Sequence, residues 1–233
     1  MKKCRIEWIM ACLMLVCFYM LSRQAAVISA DMTVSRQSES GKKILIDPGH
    51  GESDPGMIGT DGLEEKGINL AVALRLRDEL EQKGYSVVMT REEDKGLYDE
   101  SAQNKKAQDM QRRVAMISEE QPVLSVSIHQ NSYPDPGVYG PQVFYYESSS
   151  EGKKLAQDIQ TSVNEILQIE HPREIKGNTS YYLLKRSEGT LVIVECGFLT
   201  NPAEAELLQN ESYQRKVAGA IASGIDRYVQ GTE

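Results

Sequence analysis

The chain is poor in cysteine. Only four of its 233 residues are cysteines, and three of them, Cys4, Cys12 and Cys17, lie within the first 17 residues. Cys196 is the only cysteine in the remaining sequence, so no disulfide can form within that part. Its stability must therefore come from the burial of apolar side chains, for which about 200 residues suffice.

Basic residues are also scarce once the N-terminus is set aside. The first 30 residues contain four of the 26 basic and one of the 34 acidic residues, which leaves 22 basic against 33 acidic residues and a formal charge of −11. A domain with this charge repels phosphate backbones, which argues against a nucleic-acid partner. The same charge gives no electrostatic attraction to anionic membrane surfaces.

Long apolar runs are missing except near the N-terminus. Residues 8–21 are apolar without interruption and follow a short basic start, "MKKCRIE". Because the run is shorter than the ~20 residues that span a bilayer, it predicts a signal peptide or an N-terminal membrane anchor over residues 1–30, in contact with the membrane. Residues 31–41 are expected to form a polar linker and residues 42–230 an extracytoplasmic domain, either secreted or anchored.

Strand and helix patterns alternate from residue 42 onward. The strands are continuously apolar, which is typical of a parallel sheet covered on both faces. The pattern predicts one α/β domain with a mainly parallel, twisted sheet of about six strands and helices on both faces. The predicted strands are residues 43–47, 85–90, 123–130, 141–147, 181–184 and 190–198, and the predicted helices are 69–84, 107–120, 152–167, 201–208 and 212–229.

Polar side chains stand at the carboxyl ends of three predicted strands, where open α/β sheets bind their ligands. His50 and His129 each follow an apolar strand, and Glu195 ends "TLVIVE". Either Glu64 or Glu65, just ahead of the first helix, can reach the same edge. Two imidazoles and a carboxylate are a catalytic zinc set, and Glu195 then suits the role of general base.

Other interpretations of these residues remain open at this point. Each histidine can be a hydrogen-bonded structural residue, the paired glutamates can serve the helix dipole, and the same spacing suits non-haem iron. Cys196 can be a thiol nucleophile with His129 as its base, although a lone cysteine at a strand end is more often a small buried hydrophobe. The glycine-rich loop after residue 47 lacks the spacing of a dinucleotide or phosphate-binding motif.

Four sequence blocks together resemble the zinc-dependent N-acetylmuramoyl-L-alanine amidases of the amidase-3 type. They are "ILIDPGHGESDPGMIGTDGLEEKGINLAVALRL", "DMQRRVAMI", "VLSVSIHQNS" and "LVIVECGFLTNPAEAELL", and the resemblance covers residues 42–230. It implies one zinc ion per chain on His50, Glu65 and His129, with Glu195 as catalytic acid and base. Glu65 is chosen over Glu64 because the family has a glutamate directly before a lysine. The implied reaction is hydrolysis of the bond between muramic acid and L-alanine in peptidoglycan.

Within this family the chain is most similar to the short amidases of endospore formers that act in cortex maturation. It combines an export segment with a lone catalytic domain, and "GPQVFYYESSSEGKKLAQ" resembles theirs. The resemblance implies that stem peptides are removed from muramic acid ahead of muramic lactam formation. A catalytically silent wall-binding or regulatory module of the same fold is the competing class. Such a module would lack a metal ligand or the glutamate at the strand end, and this chain has all of them. The need for an accessory protein is left open by the sequence.

Overall fold

The computed structural model describes residues 41–59 and 62–231, together with the isolated positions Met14 and Met20. The predicted signal or anchor and nearly all of the predicted linker lie outside the described residues. No helix within the described part is long and apolar enough to cross a membrane. The strands are β1 (Lys43–Pro48), β2 (Ser86–Met89), β3 (Leu124–Asn131), β4 (Gln142–Tyr146), β5 (Lys176–Asn178) and β6 (Leu191–Phe198). The helices are α1 (Glu65–Gln82), α2 (Lys105–Glu120), α3 (Ser150–Leu167), α4 (Tyr182–Arg186), α5 (Pro202–Gln209) and α6 (Glu211–Gly231).

The six strands form one sheet in the order β2-β1-β3-β6-β4-β5. Strand β1 pairs in parallel with β2 and β3, and β3 pairs in parallel with β6. Strand β4 runs antiparallel to β6, and β5 follows β4 in parallel. The prediction of a mainly parallel, six-stranded sheet is therefore confirmed, with β1, β3 and β6 side by side at its centre.

Helices cover both faces of this sheet, as the sequence predicted. Successive strand residues point to opposite faces, so Ile44 and Ile46 join the larger apolar cluster while Leu45 joins the smaller one. The larger cluster is completed by α1, α3 and α6, and the smaller one by α2 and α4. The central strands are thereby buried on both sides, which explains why their sequences show no polar alternation.

One predicted strand is wrong. Of the run "YYLL" at residues 181–184, Tyr181 is the N-cap of α4 and the other three residues lie in its first turn, so the run is not a strand. The Asn178 side chain accepts hydrogen bonds from the backbone N–H of Ser180 (2.8 Å) and Tyr181 (2.7 Å), and this turn leads directly into the helix. A run of four apolar residues fits either a buried strand or a buried helical turn. The fifth strand of the chain is instead Lys176–Asn178, whose sequence "KGN" has no apolar pattern.

Helix α1 begins four residues earlier than its apolar periodicity predicts. The backbone N–H groups of Glu65 and Lys66 donate to the carbonyl oxygens of Met57 (3.0 Å) and Pro55 (3.1 Å). These hydrogen bonds satisfy two of the donors that a helix start leaves unpaired, and they attach the helix to the loop after β1. Glu65 consequently lies in the first turn of α1, beside the carboxyl ends of the strands.

Candidate metal and catalytic site

The carboxyl ends of β1, β3 and β6 meet at one edge of the sheet and line a pocket of about 400 Å³. His50 lies just after β1, while His129 and Glu195 are register partners on β3 and β6. Glu65 enters the same pocket from the start of α1. The structure thus brings together all four residues that the sequence singled out for metal binding and catalysis.

His50, Glu65 and His129 form a compact cluster. One carboxylate oxygen of Glu65 lies 3.2 Å from Nε2 of His50, and the other lies 3.0 Å from Nδ1 of His129. The two imidazole rings are 5.0 Å apart and almost perpendicular, at 78°. One ligand atom from each of the three side chains lies within 4.8 Å of the others, so the cluster can hold a metal ion.

Glu65, and not its neighbour Glu64, belongs to this cluster. The Glu65 side chain is buried and accepts hydrogen bonds from the backbone N–H of Met57 (2.8 Å) and Gln130 (3.0 Å). Glu64 is exposed and pairs with the ammonium of Lys66 at 3.3 Å. Tertiary contacts therefore give these two adjacent glutamates different environments, and only Glu65 reaches the cluster.

The electrostatics of the cluster favour a cation. Burial by itself raises the pKa of Glu65, but hydrogen bonds and charge from the two histidines hold this pKa far below its ordinary value. Burial by itself lowers the pKa of His129, but the contact with Glu65 raises it above its ordinary value. The site thus keeps Glu65 ionised and attracts a positive charge to His129, which a metal ion can supply in place of a proton.

The backbone at His50 is in an unusual conformation for a residue other than glycine. Its φ angle is +62°, in the left-handed region. The Asp54 carboxylate accepts a hydrogen bond from Nδ1 of His50 at 3.0 Å, which leaves Nε2 directed at Glu65. A carboxylate behind a ligating imidazole fixes the tautomer and the ring orientation. Asp54 is a site residue that the sequence analysis missed.

Two buried arginines hold the turn that carries His50. The guanidinium of Arg113 donates to the backbone carbonyls of Pro48 (2.8 Å) and His50 (2.7 Å) and to the Asp47 carboxylate (2.6 Å). Arg91 donates to the Pro48 carbonyl from Nε at 3.0 Å. These charge-assisted hydrogen bonds fix the turn in its strained conformation. The contacts span more than 40 residues of sequence, and no local pattern signals them.

Replacing Arg113 by Met is therefore expected to be strongly destabilising. The change removes the guanidinium but leaves the Asp47 carboxylate buried without its charged partner, which costs about 3–5 kcal/mol in comparable pairs. Denaturant-induced unfolding measures this loss. The Asp47→Asn, Arg113→Met double variant should lose less than the sum of the two single changes. Unfolding free energies within 1 kcal/mol of wild type in the single variant would contradict this role of the pair.

The same pair predicts how stability depends on acid pH. Burial raises the pKa of Asp47, but the Arg113 charge and hydrogen bonds from Ser127 and Thr90 outweigh it and hold this pKa at about 2. Since the pKa is lowered by folding, ionised Asp47 contributes about 2 kcal/mol above pH 4, and the contribution is lost as the pH falls through 2. The difference in unfolding free energy between wild type and Asp47→Asn should therefore shrink from pH 4 to pH 2. A difference in unfolding free energy that stays constant between pH 4 and pH 2 would contradict this role of ionised Asp47.

Glu195 lies beside the cluster, within β6 and three residues before this strand ends at Phe198. Its side chain is buried, and its Oε2 atom has no hydrogen-bond partner in the part of the chain that the structure describes. Burial raises the pKa of Glu195 to about 7. A carboxylate with this pKa can both accept and release a proton near neutral pH, which is the property of a general acid–base residue.

Cys196 points away from the pocket. Its thiol is buried within the larger apolar cluster and lies 3.8 Å from the carbonyl oxygen of Val194. Burial raises the pKa of the Cys196 thiol well above its ordinary value, whereas a nucleophilic cysteine needs a lowered pKa. This side chain is placed as a small core residue, not as a nucleophile.

The Cys196→Ala variant should accordingly keep its activity within a few-fold of wild type. Its unfolding free energy should fall by about 1 kcal/mol, the scale of a small truncation in a core. Rate measurements with a muramoyl-peptide substrate and denaturant unfolding test the two parts separately. Loss of all activity in a folded Cys196→Ala protein would restore the thiol mechanism.

A mainly parallel α/β domain with a His–Glu–His cluster and a buried carboxylate at its strand ends has the arrangement of a metal-dependent hydrolase. The chain belongs to the Amidase_3 family, N-acetylmuramoyl-L-alanine amidase, whose model matches residues 44–227. This match confirms the family and the hydrolytic class that the sequence blocks predicted.

Individual relatives agree with this assignment. The germination-specific N-acetylmuramoyl-L-alanine amidase of Bacillus subtilis (strain 168) is 41% identical over 192 residues, which cover 81% of this chain and 80% of the relative. The CwlD amidase from Clostridioides difficile, solved in complex with the GerS lipoprotein, is 38% identical with a TM-score of 0.79, over 82% of this chain and 99% of that chain. AmiC2 of Nostoc punctiforme is 32% identical with a TM-score of 0.71, over 81% and 97% of the two chains.

Proposed function

We propose that this protein is a zinc-dependent N-acetylmuramoyl-L-alanine amidase that removes stem peptides from spore-cortex peptidoglycan. The observation that carries the proposal is Glu195, a buried carboxylate beside the His50–Glu65–His129 cluster, with one oxygen that has no hydrogen-bond partner among residues 41–59 and 62–231. The family match supports the reaction, and the similarity to germination-specific and CwlD amidases supports the cortex as its place.

The three clustered side chains suit zinc as the metal. His50, Glu65 and His129 would supply two imidazole nitrogens and one carboxylate oxygen, a donor set that suits catalytic zinc. Asp54 behind His50 supplies the usual second partner of a ligating imidazole. A zinc ion held there would polarise the scissile carbonyl and lower the pKa of the attacking water.

Glu195 is proposed to move the proton during hydrolysis. Its carboxylate takes the proton from the attacking water and then gives it to the departing nitrogen of L-alanine. Burial raises the pKa of Glu195 above its ordinary value, toward the neutral range in which one carboxyl group can perform both steps. The low-dielectric surroundings also strengthen the interaction of Glu195 with developing charge.

The reaction is proposed to take place outside the cytoplasm, because its substrate is the cell wall. The basic and apolar start of the sequence supports export, either with cleavage or as a membrane anchor. In this proposal the amidase step prepares muramic acid for a deacetylase, after which the muramic lactam forms.

Complementation tests the cortex role. The gene, expressed during sporulation in a Bacillus subtilis strain that lacks its germination-specific amidase, should restore muramic lactam to the spore cortex. The Glu195→Gln variant, expressed to the same level, should not restore it. A cortex that stays without lactam, although the protein is exported and zinc-loaded, would contradict the cortex role. Equal restoration by both variants would point to a non-catalytic, regulatory module.

A further inference from the structure

Beside the metal cluster, residues of α2 and α4 line the same pocket, and this side of the pocket is called the apolar groove. Met110 of α2, Leu183 of α4 and Ile193 of β6 line this groove with apolar side chains. Tyr181 and Tyr182 stand on the α4 side and are partly exposed. An apolar groove beside the reacting centre can accept the small side chain of the first residue of a peptide substrate.

Lys106 stands at the α2 side of this groove with its ammonium in solvent. Its side chain is 70% exposed, and Nζ lies 3.1 Å from the Asp54 carboxylate. That carboxylate in turn contacts Nδ1 of His50 at 3.0 Å, so Lys106 is close to the proposed metal ligands. The position is therefore near enough to meet the residue that follows the scissile bond.

Among the described residues that line the pocket, the other cation is already committed. Arg113 is buried and saturated by Asp47, Asp109 and backbone carbonyls. The remaining ionisable residues of the lining, apart from the two histidines and two tyrosines, are carboxylates: Asp47, Asp54, Glu65, Asp109 and Glu195. An anionic substrate therefore meets a pocket that is mostly negatively charged. Lys106 is paired with Asp54 but 70% exposed, so its ammonium can still contact a negative group of the substrate.

The neighbouring lysine has a different environment. Lys105 pairs with Glu100 at 2.8 Å and lies over the Tyr98 ring, 4.9 Å from its centroid. It does not line the pocket. Lys105 and Lys106 thus differ in location while sharing a helix, a charge and a chain length, which makes Lys105 a matched control.

We propose that Lys106 binds a free carboxylate on the second residue of the stem peptide and makes the enzyme selective for it. The inference rests on the proposed amidase function and extends it to substrate choice. The alanine methyl then occupies the apolar groove, and the following residue, whose Cα lies about 3.8 Å further along the peptide, reaches the ammonium through its carboxylate. A lysine binds such a group as a mobile point charge, without the fixed geometry of a guanidinium.

Two substrates that differ at one group test this role. They are the N-acetylmuramoyl tripeptide L-alanyl-γ-D-glutamyl-L-lysine, in which the glutamate γ-carboxyl is bound to lysine, and the same compound with the glutamate α-carboxylate converted to a carboxamide. Wild type should show a KM for the carboxylate about threefold to fivefold lower than for the carboxamide, the scale of an exposed ion pair. Lys106→Gln should abolish this preference by weakening only the carboxylate, and Lys106→Arg should retain most of it. Lys105→Gln should behave as wild type.

The affinity of the two compounds for the Glu195→Gln variant can be measured without turnover. Calorimetric Kd values for the two compounds should show the same preference, and adding Lys106→Gln should remove it without loss of zinc. If Lys106→Gln changes the Kd of both compounds equally, or loses zinc, Lys106 acts only through Asp54 and the proposal is wrong. A preference that Lys106→Gln leaves unchanged would also overturn the proposal. Failure of wild type to cleave either compound would instead contradict the amidase function, while the Kd values still decide the role of Lys106.

Discussion

The Glu195→Gln variant is expected to lose roughly 10²- to 10⁴-fold in the rate of amide hydrolysis, the usual contribution of general acid–base catalysis. The amide has the size of the carboxylate but cannot take a proton from water or return one to the leaving nitrogen. Because Glu195 is buried and its Oε2 atom has no protein partner among the described residues, the change should leave the fold intact. Single-turnover kinetics with a muramoyl-peptide substrate measures the loss.

Metal content separates this role of Glu195 from that of a ligand. The Glu195→Gln protein should retain about one zinc per chain, because the proposed ligands are His50, Glu65 and His129. Glu64→Gln is the matched control, since Glu64 is an exposed carboxylate next to the cluster and should leave both rate and zinc unchanged. Loss of zinc from Glu195→Gln would make Glu195 a ligand and contradict its role as base.

The second large effect is expected from His129→Ala, which should bind zinc poorly and lose nearly all activity. Removing one of three ligands opens the site and leaves the buried Glu65 carboxylate without one of its two imidazole partners. Zinc binds the folded state selectively, so wild type should also lose thermal stability on chelation and regain it with zinc. Elemental analysis and thermal melting with and without chelator measure both consequences.

His171→Ala is the control for the loss of an imidazole. His171 is exposed and lies outside the cluster, and its ring lies edge-on to the ring of Tyr139. This variant should keep zinc, activity and the stabilisation by zinc. Stoichiometric zinc in a His50→Ala, His129→Ala double variant would contradict the proposed ligand set.

Much of the architecture followed from local patterns, because continuous apolar strands alternating with amphipathic helices leave few alternatives to a covered parallel sheet. The ends of those strands then predicted where His50, His129 and Glu195 would meet. The residue pattern alone left Glu64 and Glu65 open, and the resemblance to the family favoured Glu65. The structure gives the physical reason for this choice, because the loop before α1 folds back on β1 and brings Glu65 into the cluster. Their roles as ligands and base stay predictions until zinc and rates are measured.

The parts that sequence did not show have physical reasons. Strand β5 is held by its pairing with β4, not by apolar side chains, so "KGN" carries no strand signal. The short helix α4 begins because Asn178 turns the chain, and the apolar run "YYLL" at its start fits two structures equally. Arg113 and Asp54 act on His50 through contacts that depend on the assembled fold.

The bond that is cleaved tests the central claim most directly. Purified, zinc-loaded protein should be incubated with peptidoglycan, and the products should be analysed by mass spectrometry and by labelling of new end groups. The account predicts new L-alanine amino termini, free stem peptides and glycan chains of unchanged length. Glu195→Gln should release these peptides about 10²- to 10⁴-fold more slowly. New reducing sugar ends without new alanine amino termini would mean that a glycosidic bond is cleaved, and this would contradict the amidase function.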